Sequence, residues 1–123
     1  QKPAFAPDNR GNNMATLANS VRSAEASLTA ENTFTDWMVL SGSPWSAWAT
    51  GTFSATVTVQ AVPPNGSADT AADIIDLDEL TAPGVLNGTA LCGASVGWLV
   101  RVGIKTGDFT SGTAKVGVCK VGD

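Results

Sequence analysis

The sequence contains neither histidine nor tyrosine. Without imidazole it lacks the side chain best suited to proton transfer near neutral pH, a frequent zinc ligand, and any triad of the Ser-His-Asp kind. The two cysteines, Cys92 and Cys119, cannot close a four-ligand zinc site by themselves and are too few to define a disulfide scaffold. A bridge between them would add about 3 kcal/mol on a chain-entropy estimate. The sequence leaves that bridge and a pair of buried thiols equally open. Charged residues make up only 15% of the chain, against roughly 25% in ordinary globular proteins. Serine, threonine, alanine and glycine carry the solubility instead, a profile that suits β-sandwiches and proteins largely covered by neighbours. No run approaches the roughly 20 apolar residues of a membrane helix. No phosphate-cradling glycine loop or dinucleotide fingerprint is present. The expectation is a protein with no catalytic residues, cofactor or metal site, and no membrane partner.

The charge that is present has the wrong sign for nucleic acid, with a net −4 over 123 residues. Residues 1–26 are a local exception: Lys2, Arg10 and Arg22 against Asp8 and Glu25 leave a balance of +1, too small for a nucleic-acid arm. The acids gather instead at Asp69, Asp73, Asp76, Asp78 and Glu79. A calcium loop needs oxygen ligands around a turn-forming glycine. Here Ile74, Ile75 and Leu77 stand between the acids, so the stretch reads as surface charge.

Patterning points to strands. In Gly51–Val62, residues Phe53, Ala55, Val57, Val59 and Ala61 share one parity and Thr52, Ser54, Thr56, Thr58 and Gln60 the other. That predicts one long antiparallel strand with a dry face and a wet face. Its dry row needs cover, expected from Trp98, Val100, Val102 and Val116 across a sandwich. Val96–Lys105 is a second such strand, with Leu99, Arg101, Gly103 and Lys105 on its other side. Thr113–Val121 is the last strand, Val116 and Val118 dry and Lys115 wet. Thr33–Ser41 is apolar on both parities, which predicts a strand covered on both faces. Trp45–Thr50 places Trp45, Ala47 and Ala49 opposite Trp48. A strand is also expected over Ala72–Leu77, with turns at Pro83-Gly84 and Asn87-Gly88 and a hairpin connection over 106–112. Six to eight short strands at this spacing favour an all-β, two-sheet antiparallel sandwich over residues 27–123.

Residues 1–26 carry two prolines, no sustained periodicity and a few apolar anchors: Phe5, Met14, Leu17 and Val21. They read as an arm, extended or with a short helix, that orders against another subunit. Trp45 and Trp48, flanking a Ser-Ala pair near a bend, are the only plausible surface aromatic contact. They are the basis of an alternative reading as a carbohydrate-binding module.

Three segments together resemble a group of small tailed-bacteriophage virion proteins. They are SLTAENTFTDWMVLSG at 27–42, GTFSATVTVQ at 51–60 and VGWLVRVGIKTGDFTSGTAKVGV at 96–118. The chain departs from that pattern where AVPPNGSADTAADIIDLDEL follows the long strand, and at Leu99-Val100, where an aromatic is usual. The resemblance implies a sandwich of jelly-roll type and a non-enzymatic capsid cement or decoration protein. Such a protein would sit on the outer capsid surface of the virion, assembled in the host cytoplasm. Its expected partners are the major capsid protein and further copies of itself, as a dimer or trimer. The alternative within the same particle is a tail, fibre or head–tail adaptor component.

Overall fold

A strand with one apolar side is stable only when a second sheet covers that side, and the alternating segments of this chain solve the problem as two facing sheets. The computed structural model of the chain describes residues 22–92 and 97–121. Eleven strands are present: β1 (Ser23–Leu28), β2 (Thr33–Phe34), β3 (Met38–Leu40), β4 (Trp45–Thr50), β5 (Phe53–Ala55), β6 (Val57–Val62), β7 (Ile75–Leu80), β8 (Gly84–Gly88), β9 (Trp98–Ile104), β10 (Phe109–Gly112) and β11 (Ala114–Lys120). A 3-10 turn, Ala71–Asp73, precedes β7.

The first sheet runs β1-β11-β4-β8. The second runs from β2 and β3, both paired with β9, through β6 to β7. Every pairing is antiparallel, and β5 with β10 forms a separate ribbon. Taking β2 and β3 as one position and setting the ribbon aside leaves eight strands. Numbered in chain order, the sheets then read 1-8-3-6 and 2-7-4-5, the alternation of a jelly roll. The fold is all-β, an antiparallel sandwich of the expected class.

The core lies between the sheets. The first contributes mainly small residues, Ala47, Ala49 and Ala114 with Val116 and Val118. The second contributes larger ones: Met38, Leu40, Val57, Val59, Val100, Val102 and Ile104, all buried. Small against large lets the two layers interdigitate at interior density.

Several expectations are corrected. Gly51–Val62 is two strands rather than one, because the Thr56 amide turns aside to the Asp108 carbonyl at 2.9 Å. β5 then leaves for β10, while β6 stays between β9 and β7. Val100 and Val102 flank β6 within one sheet, Val102 opposite Val59 and Val100 opposite Ala61; Val116 belongs to the facing sheet. The wet row of β6 is dry: Thr58 is 1% exposed and Gln60 7%. Thr33–Ser41 is broken by Thr35, whose hydroxyl accepts from the Val102 amide and donates to the Asp36 carbonyl. That shift of parity puts Phe34 on the opposite side from Met38. Strand β7 starts later than Ala72, the 3-10 turn taking residues 71–73. Asn87-Gly88 is no turn but the end of β8. Within 106–112, the segment read as a connection, β10 is a strand. Residues 23–26, read as the end of the arm, pair with β11 as part of β1. No disulfide joins Cys92 and Cys119.

Candidate functional site

The two outer faces of the sandwich differ in kind. On the second sheet, β9 turns Arg101 outward, opposite Gln60 of β6. The Arg101 guanidinium sits 3.7 Å from the Phe34 ring centre and 4.4 Å from that of Trp37, within cation–π range. Its Nε donates to Gln60 Oε1 at 3.0 Å. Gln60 Nε2 donates to Asp76 Oδ1 at 3.0 Å, and Lys105 Nζ donates to Asp76 Oδ2 at 2.6 Å. Phe34 comes over this face because Gly103 beneath it has no side chain; a Cβ there would lie 2.7 Å from the ring. The centre of the face is therefore filled by its own side chains, and Gln60 beneath Arg101 is buried.

The electrostatics follow the geometry. The hydrogen bond from Lys105 holds the Asp76 carboxyl below its ordinary value, helped by Gln60 and opposed by burial. Asp76 in turn raises the Lys105 ammonium, first through that hydrogen bond and then through its charge. Burial lowers Arg101. Among the described residues these groups satisfy one another, with no open acid–base pair.

Among the described residues, nothing covers the outer face of the first sheet around Trp48 and Val85. Register places Glu25 of β1, Gly117 of β11, Trp48 of β4 and Val85 of β8 in one row across all four strands. Trp48 lies against Gly117, where a Cβ would meet its six-membered ring at 2.2 Å. Glycine lets the indole settle on the sheet and present its other side outward. Val85 next to it is 63% exposed. A shallow depression beside Trp48 is bordered by Glu25, Ser27, Thr50 and Lys115. The result is a level patch with an apolar centre and a mixed polar border.

Of the site residues expected from sequence, Trp48 is on this face. Trp45 is not: it points into the sandwich, 6% exposed, packed over Gly88. Strand alternation at positions three apart puts the two indoles on opposite sides, so they cannot form one platform. Phe5, Met14, Leu17 and Val21 lie outside the described residues. The acids of 69–79 are dispersed: Asp73 accepts from the Ser67 amide, Asp78 from the Glu79 amide, and Asp76 serves Gln60 and Lys105. No group of three metal-ligating side chains comes together among the described residues. Reading the sequence missed the Phe34–Arg101–Trp37 cluster. Arg101 and Lys105 were on the outward parity, but nothing local said that Phe34 and Trp37 would fold over them.

No protein-family model matches the chain, and no curated protein matches its sequence.

Proposed function

We propose that the chain is a non-enzymatic structural protein that fastens to the outer surface of a viral capsid and reinforces it. The three segments that resemble phage virion proteins suggest the particle. The fold is compatible, since jelly rolls serve both as viral coat domains and as lectins. The observation that carries the choice is the asymmetry of the two faces. One is filled at its centre by its own Arg101 cluster and rimmed with charge; the other presents Trp48 and Val85 side by side on a four-stranded surface. An aromatic anchor next to an aliphatic neighbour, ringed by polar side chains, is the composition of a protein contact. The sugar reading needed Trp45 and Trp48 on one platform, and Trp45 is turned into the sandwich.

The test is imaging of the particle with Trp48→Ala, Val85→Asp carried together. The wild-type chain should occupy regular positions over the shell. The double variant, still folded by circular dichroism, should leave the shell bare. Decoration unaffected by the double variant would sink the contact assignment, and density confined to the tail would move the protein there.

A further inference from the structure

The sandwich has a second open feature, on its side rather than its face. β8 ends the first sheet and β7 ends the second, and between them lies a cleft of about 280 Å³. Trp45, Leu77 and Leu91 line it with apolar surface, while Asp78, Asn87 and Thr89 supply polar groups. Trp45 is at the same time one of two places among the described residues where a buried polar atom has no partner: its indole Nε1 finds no acceptor. An unmet buried donor is costly, and it sits in a side chain that lines an open cleft.

Among the described residues, the strand bordering the cleft is also the longest edge without a charge. Sheet edges normally carry charge, shortness or cover against stray pairing. β7 carries Asp76, Asp78 and Glu79, and β1 carries Glu25. β2 and β3 are two and three residues long, and Lys120 Nζ already donates to the Val39 carbonyl. β8, Gly-Val-Leu-Asn-Gly, has no charge and no proline.

We propose that β8 captures an extended segment of another protein by strand addition, with one apolar side chain of that segment entering the cleft and a lysine or arginine meeting Asp78. An extended backbone matches the edge, because it supplies both donors and acceptors along its length. The apolar side chain matches Leu77 and Leu91. The basic residue follows from Asp78, which makes no ion pair among the described residues. A second copy of this chain fits less well: none of its described edge strands, β1, β2, β3, β5, β7, β8 or β10, carries a lysine or arginine. The assignment is independent of the capsid reading and uses different residues from its test.

The experiment titrates the full chain with a short peptide alternating valine and threonine around one lysine. Fluorescence anisotropy and the Trp45 indole N–H resonance are the readouts. Saturable binding should move the Trp45 resonance. Asp78→Lys should weaken the peptide about fivefold, and replacing the peptide's lysine with glutamate should restore binding to that variant. Backbone N-methylation along one edge of the peptide should abolish it. Equal binding of the methylated peptide, or no saturable binding at all, would overturn the proposal. So would self-association by light scattering without peptide binding, which would give the edge to a second copy.

Discussion

Gly88 and Gly117 do the same steric work on opposite sides of the first sheet, and the two indoles they admit have different fates. At Gly88 an added Cβ would fall 1.8 Å from the buried Trp45 ring. Gly88→Ala should therefore cost about 2 kcal/mol by overpacking. Gly117→Ala, at 2.2 Å from Trp48, should cost less, because a half-buried ring can lift toward solvent. Urea unfolding of both variants, with tryptophan emission as the probe, checks the order. The Asp76–Lys105 pair makes a pH prediction at the same scale. The folded Asp76 carboxyl takes a proton less readily than the unfolded one. Its contribution is thus present above the ordinary aspartate range and is lost as pH falls through the lowered value. Both partners are well exposed, so the effect is small. Asp76→Asn should lower Tm slightly at neutral pH and leave it unchanged in acid below that range.

Single strands show how far local pattern reaches. β9 and β11 were legible because both alternate over most of their length, and their inward residues Val100, Val102, Val116 and Val118 are all in the core. β6 obeys the same alternation and still hides both of its sides; over Gln60 lies Arg101, itself stacked on Phe34 and Trp37, all three outside β6. A wet-looking row can be dried by a neighbour that periodicity does not name. Removing that cover should matter: Arg101→Ala should cost about 1–2 kcal/mol, the sum of a cation–π contact and a hydrogen bond to a charged donor. Arg101→Lys, which keeps the charge but not the planar stack, should recover only part of it by thermal unfolding. The Asn87-Gly88 pair erred in the other direction. A strong turn signal sits inside β8, where glycine makes room for Trp45 and Asn87 Oδ1 accepts from the Ser46 hydroxyl at 2.8 Å.

At the scale of the molecule, the first and last described strands pair along their full length, Ser23 with Cys119 through Leu28 with Ala114. This closure makes β1 part of the sandwich rather than the end of an arm. A chain beginning at Thr29 should then unfold well below one beginning at Arg22, since it uncovers the edge of β11 and removes Leu28 from the core. A Tm equal for the two would return residues 23–26 to the arm.

Composition and alternation were enough to determine an all-β sandwich, its main strands and the inward side of most of them. Those properties depend on side-chain polarity read two residues apart, which the chain carries locally. The jelly-roll order, the filling of one face at its centre by Arg101 and the openness of the other around Trp48 were decided only in three dimensions. Each of these brings together residues from strands far apart in the chain, as Arg101 with Phe34 or Trp48 with Gly117. Trp48 could be placed on the outward parity from sequence alone. That its ring rests on a glycine and faces solvent was settled by the register of β4 against β11.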